Sequence, residues 1–176
     1  TSLSQTVEAP TVISRAPPRA RSSADEPTRE MPRLKAVQVQ PVVPVLKDPA
    51  PEVRRECALS LHMVQSSEKP ELWATLAQQH DGKDRWYLEA LGIGAVGMEN
   101  ECFEAWLKKA GDKWNTPAGR DIIWRSRSAK APAYLVKLIK DKNTPGQERD
   151  RYLRALDFIR GPERDAALIE LLSSTQ

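Results

Sequence analysis

The clearest order in this chain lies in pairs of adjacent apolar residues. Leu72-Trp73 and Leu76-Ala77 place four apolar side chains at i, i+1, i+4 and i+5, a single stripe along a helix. The pattern returns at Cys102-Phe103 with Trp106-Leu107, at Tyr134-Leu135 with Leu138-Ile139, and at Ala167-Leu168 with Leu171-Leu172. A partial copy stands at Val42-Val43 with Leu46. The copies begin at residues 42, 72, 102, 134 and 167, so they are spaced 30, 30, 32 and 33 residues apart. Near-constant spacing of this length is the mark of stacked helical units.

Between the stripes lie further helix-forming segments: "PEVRRECALSLHMV", "DRWYLEALGIGAV", "AGRDIIWRSRS" and "ERDRYLRALDFI". Asp48 precedes Pro49, and Thr116-Pro117 and Thr144-Pro145 each offer a hydroxyl cap before a proline at the first helical position. The turns "DKWNTPAGRD", residues 112–121, and "DKNTPGQERD", residues 141–150, closely resemble each other. The unit is therefore helix, turn, helix. One such unit cannot bury both its faces, whereas a stack can. The expectation is an all-α fold over residues 41–176, an α-solenoid of about four to five helical hairpins.

In "DRWYLEALGIGAVG" the pattern predicts an inner face of Trp86, Ala90 and Ile93, with Tyr87, Leu91 and Ala95 beside them. Gly92, Gly94 and Gly97 would let a neighbouring helix approach closely. They do not lie between a strand and a helix, so a phosphate-cradling loop lacks its context.

Residues 1–40 read differently. Half of the 14 prolines precede residue 45, where there is neither glycine nor an aromatic residue. Such a segment cannot bury enough apolar surface to offset the cost of ordering it, and residues before proline favour extended geometry. It is expected to be a disordered or extended linker. "LKAVQVQPVV" alternates weakly, as a strand added to a partner would. The opening "TSLSQTVEAP" carries no intact signal peptide and reads as a processed or excised piece of a longer polypeptide.

Composition narrows the function classes only a little. No apolar run approaches the ~18 residues needed to span a bilayer. A formal net charge of +3 does not by itself diagnose a nucleic-acid or membrane partner. Two cysteines are too few for a disulfide framework.

Residues 46–61 carry a family resemblance. "LKDPAPEVRRECALSL" resembles the HEAT-repeat motif, with its Asp-Pro turn at Asp48 and Pro49 and its Val-Arg pair at Val53 and Arg54. The later copies depart from it, since Asp81 is followed by Gly82 and no Val-Arg pair recurs. "HDGKDRWYLEALGIGA" and "GDKWNTPAGRDIIWRSR" resemble the HEAT-like region of large bacterial multidomain proteins of planctomycete type. In that group the region accompanies a dehydrogenase-like β-propeller and a c-type cytochrome domain. The resemblance covers roughly residues 45–172. It implies HEAT-like hairpins, a periplasmic or secreted setting, and a scaffolding role whose partners are protein domains or subunits such as a c-type cytochrome or a dehydrogenase-like propeller. The haem attachment signature is absent from this sequence, and no cofactor is expected in this chain.

Candidate chemistry is sparse. Cys57, His62, His80 and Cys102 are the soft ligands, and none pair at zinc-binding spacing. A Cys57–Cys102 disulfide would join the first and third units, too far apart for its geometry. Cys102 sits on a stripe and reads as a core thiol. His80 is expected to meet a helix end through a charge–dipole contact. Asp81, Asp84, Glu99 and Glu101 are expected to be solvated or capping, and no catalytic residue or metal ligand is assigned.

Trp73, Trp106 and Trp86 are expected in the core. Trp114, in the polar turn "GDKWNTP", is expected to be the most exposed of the five tryptophans, either as an interface anchor or folded back on its own unit. Residues 119–142 hold Arg120, Arg125, Arg127, Lys130, Lys137, Lys140 and Lys142 against Asp121 and Asp141. Arg120, Trp124 and Arg127 are three to four residues apart, so one helix face could present cations around an aromatic. That face reads as a solvated ridge, a surface for an acidic protein, or a surface for nucleic acid. The tentative interaction residues are Trp114, Arg120, Arg125, Arg127 and Lys130. The expected function is a non-catalytic scaffold, with a nucleic-acid-binding HEAT-like domain as the alternative.

Overall fold

A computed structural model describes residues 45–173, all within the compact unit Val39–Gln176. The expectations for the Pro-rich segment 1–40 and for Val42-Val43 lie outside the described residues. Among the described residues there are eight α-helices and no strand. They are α1 (Pro51–Ser60), α2 (Lys69–Ala77), α3 (Arg85–Gly94), α4 (Glu99–Ala110), α5 (Pro117–Arg125), α6 (Ala131–Lys140), α7 (Gly146–Ala155) and α8 (Pro162–Ser173). Short 3₁₀ turns occupy Val45–Lys47, Leu61–Met63, Gly111–Asn115 and Leu156–Phe158. The four full stripes fall on α2, α4, α6 and α8, and the intervening segments form α1, α3, α5 and α7.

Helices of like phase pack on one another. α1 lies on α3, α3 on α5 and α5 on α7, while α2 lies on α4 and α6 on α8. Between α4 and α6 the contact runs through Phe103 and Tyr134, edge to face at 5.8 Å. The stripes supply much of the core, with Trp73, Leu76, Cys102, Phe103, Trp106, Leu135 and Leu138 all at most 4% exposed. α8 is covered less completely: Ala167 is buried, but Leu172 is 74% exposed. No described helix is long and apolar enough to cross a membrane.

Side-chain caps start α5 and α3. The Thr116 hydroxyl accepts from the Gly119 amide at 3.2 Å, and the Asp84 carboxylate accepts from the Tyr87 amide at 2.9 Å. Each satisfies a donor that the first turn leaves unpaired. Thr144 departs from the expected role. The Asp141 side chain and carbonyl accept from Asn143 and Thr144 at 2.9 and 3.0 Å, closing the preceding turn and drawing Thr144 inward. Thr144 is 2% exposed with its hydroxyl unpaired, α7 begins at Gly146, and the Pro145 carbonyl takes the first amides.

One device recurs that the motif comparison does not anticipate. Arg54, Arg120 and Arg149 each stand fourth in their helix and reach back to the preceding turn. Arg54 donates to the carbonyls of Asp48 and Pro49 at 2.6 and 3.0 Å, and Arg149 to those of Asp141 and Lys142 at 3.1 and 3.2 Å. Arg120 donates to the Asn115 carbonyl at 3.2 Å. The same bond thus pins three of the four odd-numbered helices to their incoming chain.

Helix α3 is rotated from its expected setting. Tyr87, Leu88, Ala90 and Leu91 face the core at 1–2% exposure, whereas Trp86 is 73% and Ile93 41% exposed. Two bonds fix this rotation: the Tyr87 hydroxyl donates to the Leu76 carbonyl at 2.9 Å, and the Trp73 indole to the Leu91 carbonyl at 2.7 Å. The glycines also divide. A Cβ on Gly94 would overlap the Ala58 carbonyl oxygen of α1, so here a neighbouring backbone does approach closely. At Gly92 the neighbour is instead the Arg125 side chain, and Gly97, at φ +85°, closes the turn after α3 with open space around it.

Candidate interaction face

The outward sides of α3, α5 and α7 carry a connected chain of charges and rings. Trp86, Glu89 and Ile93 share one face of α3 by their spacing. Arg85 pairs with Glu89 at 2.5 Å, and the other Glu89 oxygen takes Arg125 of α5 at 2.7 Å. The Arg85 guanidinium lies 4.9 Å from the centre of the Trp124 ring, and that of Arg151, from α7, only 4.1 Å from the same ring. Arg151 also bonds one Asp121 oxygen at 2.7 Å, and His80 reaches the other at 3.2 Å. Trp124 is thus held by guanidiniums from two neighbouring helices, each contact worth about 0.5–1 kcal/mol when exposed and more when desolvated.

The two carboxylates are the hubs. Burial alone would raise both pKa values, but hydrogen bonds from Arg125 and Arg85 hold Glu89 below its usual 4.5, and those from His80 and Arg151 hold Asp121 below its usual 3.8. Both groups ionise more readily in the folded chain than in the unfolded one. Their stabilisation is therefore full above the unfolded values and fades as pH falls below about 4 through the lowered folded values. Urea midpoints measured from pH 7 to pH 3 are expected to show Asp121→Asn well below the parent at pH 7, with the gap closing below about pH 4. A gap independent of pH would show that the Asp121 charge contributes nothing.

At the C-terminal ends of α3 and α5 a cavity of about 130 Å³ opens. Trp73, Leu88, Leu91 and Ile122 form its buried wall, and the exposed Ile93 and Val96 form its lip. Arg125, Arg127 and Glu99 also line it. Gly92 makes room for the Arg125 guanidinium, which any side chain there would displace. One Arg127 nitrogen donates to the carbonyls of Trp124, Arg125 and Ser126 at 3.3, 3.0 and 2.9 Å, capping the end of α5. The same guanidinium lies 4.9 Å from the centre of the Phe158 ring. Among the described residues no carboxylate stands within ion-pairing distance of Arg127. Burial, then the neighbouring Arg125 charge, pushes its pKa down.

The five tentative interaction residues do not form one cluster. Arg125 and Arg127 belong to this face. Arg120 is tied to Asn115, Asp141 and Glu148, with Asp141 and Glu148 at 3.8 and 3.7 Å. Lys130 pairs with Glu104 of α4 at 2.7 Å. Trp114 packs edge to face on Tyr134 at 5.2 Å, with the Lys137 ammonium 5.9 Å from its ring centre. It is half-buried, so the most exposed tryptophan is Trp86 and not Trp114. The cause is the neighbouring helix α6, whose Tyr134 gives the turn an apolar surface to lie on.

His80 is likewise more than a helix-end contact. Its residue is 6% exposed and bound to Asp121, 41 positions along the chain. Sequence reasoning passed over Arg85, Glu89, Arg151 and Phe158. The i, i+4 pair Arg85–Glu89 was readable.

Both cysteines are free thiols, and burial pushes Cys102 up to about 12, so it is no nucleophile at neutral pH. Among the described residues no three His, Cys, Asp or Glu side chains gather as a metal ion would require. No protein-family model, curated protein or solved structure matches this chain.

Proposed function

We propose that the chain is a HEAT-like α-solenoid acting as a non-catalytic interaction scaffold, one that positions neighbouring protein domains or subunits within or beside an extracytoplasmic redox assembly. The observation that carries the interaction role is the outward face of α3, α5 and α7. Trp86 of α3 and Phe158, in the turn after α7, are 73% and 65% exposed, and Trp124 of α5 is held by guanidiniums of Arg85 and Arg151. Tryptophan and arginine dominate binding hot spots, and large exposed aromatics cost solubility unless something covers them. The solenoid reading draws on the like-phase packing and on the arginine bond repeated at Arg54, Arg120 and Arg149. The redox and periplasmic setting draws only on the resemblance of residues 80–95 and 111–127 to planctomycete-type HEAT-like regions.

The test is purification from the native source with the parent chain and with a Trp86→Ala/Phe158→Ala pair. The pair is expected to unfold within about 0.5 kcal/mol of the parent per site, because both side chains are solvated. It is expected to lose the protein that travels with the parent chain. A haem-bearing polypeptide among the partners supports the redox setting, whereas recovery with nucleic acid alone overturns the scaffold reading. The nucleic-acid alternative draws less support from the geometry. Arg120, Arg125, Lys130 and Lys140 are engaged by carboxylates of this chain and are not left for phosphates.

A further inference from the structure

We propose that the cavity between the ends of α3 and α5 is a peptide-docking pocket, taking one large apolar side chain and an adjoining carboxylate from an acidic segment of a partner protein. This rests on the scaffold reading and names the partner's chemistry. A volume of about 130 Å³ suits a single leucine- or phenylalanine-sized group, and the wall of Trp73, Leu88, Leu91 and Ile122 offers it an apolar surface. Ile93 and Val96 leave the lip exposed at 41% and 43%, so the opening is not sealed by the chain itself.

The charge of the rim selects the neighbour. Arg125 and Arg127 face one carboxylate, Glu99, and Arg125 is already engaged by Glu89. Arg127 is fixed by three carbonyls and the Phe158 ring, yet among the described residues no carboxylate lies within ion-pairing distance of it, and Glu89 acts on it only from farther away. A guanidinium held in place this way has its ordering cost largely met, and a carboxylate is the group its planar fork fits. Its lowered pKa agrees with a half-buried cation beside a second cation. Glu99 on the same rim disfavours a doubly charged phosphate more than a single carboxylate.

The experiment pans a random peptide-display library on the full 176-residue chain, then measures the strongest binder as a synthetic labelled peptide. The expected consensus is a large apolar residue next to Asp or Glu. Val96→Glu, a change at an exposed lip position, is expected to weaken that peptide roughly tenfold or more, and Val96→Lys to leave it within about threefold. Arg127→Gln is expected to weaken it comparably, with urea unfolding of each variant run alongside. If Arg127→Gln does not fold, the Val96 pair decides alone. An empty library, a consensus without acidic residues, or a peptide indifferent to the charge at position 96 overturns the pocket. A peptide indifferent to position 96 but lost in Trp86→Ala would remove the pocket and leave the scaffold reading standing. Loss of all co-purifying protein removes the scaffold reading separately.

Discussion

Trp73→Ala is expected to lower the unfolding free energy by about 3–5 kcal/mol, the cost of emptying a large aromatic site that the core cannot refill. Trp73 is 4% exposed, in the second position of the stripe on α2. Its indole also donates to the Leu91 carbonyl at 2.7 Å, which takes the Ala95 amide at 3.1 Å as well. Truncation removes the packing and the indole bond together, leaving the carbonyl with the Ala95 amide alone. The site is poorly placed to collapse, because Trp73 already walls the cavity beside α3 and its loss enlarges an existing void. Trp73→Phe separates the two terms: it keeps most of the volume and loses the indole bond, for an expected cost of about 0.5–1.5 kcal/mol. Urea unfolding of both variants, followed by far-ultraviolet circular dichroism, measures them. A Trp73→Ala loss below about 1 kcal/mol would contradict its place in the core.

Trp73 also shows what the sequence made legible. Its doublet repeats because α2, α4, α6 and α8 each bury one stripe against a neighbour of the same kind, and one-sided burial leaves a clean period. α3 is apolar almost all round, so its sequence supports two overlapping faces, one through Trp86 and Ile93 and one through Tyr87 and Leu91. Periodicity cannot choose between them. The choice falls to contacts with other helices: the Tyr87 hydroxyl on Leu76, the Trp73 indole on Leu91, and Gly94 against α1. Trp114 was misplaced for the same reason, since the surface it lies on belongs to α6.

The candidate face was legible only in fragments. Arg125, Arg127 and Trp124 were visible as a basic and aromatic cluster on one helix. Their partners come from other helices, and composition along one segment cannot find them. The spacing of the stripes could have found some of them. Asp121 meets Arg151 and Lys140 meets Glu170, each 30 residues apart, because like-phase helices are neighbours in space. Opposite charges one stripe spacing apart are thus the counterpart, for packed helices of like phase, of i, i+4 pairs, and reading them would have shown Lys140 of the basic segment to be bound internally.

The packing of α3 on α1 depends on Gly94. Gly94→Leu is expected to destabilise the chain by about 3 kcal/mol, although leucine is the better helix former by nearly 1 kcal/mol. The gain in propensity is outweighed because the new Cβ would occupy the position of the Ala58 carbonyl oxygen. That atom is backbone inside α1 and cannot swing aside as a flexible side chain would. Room for leucine can come only from moving α1 off α3, which would also strain Ala58 and Leu61, at 0% and 3% exposure in the core between them. Gly97→Ala marks the contrast. It meets no neighbouring atom within 4 Å, so its cost is the positive φ of +85° alone, about 1 kcal/mol. Thermal unfolding of the two variants beside the parent orders these costs. A Gly94→Leu variant as stable as the parent would mean that α1 and α3 do not meet at this glycine, and the like-phase packing of the first units would have to be redrawn.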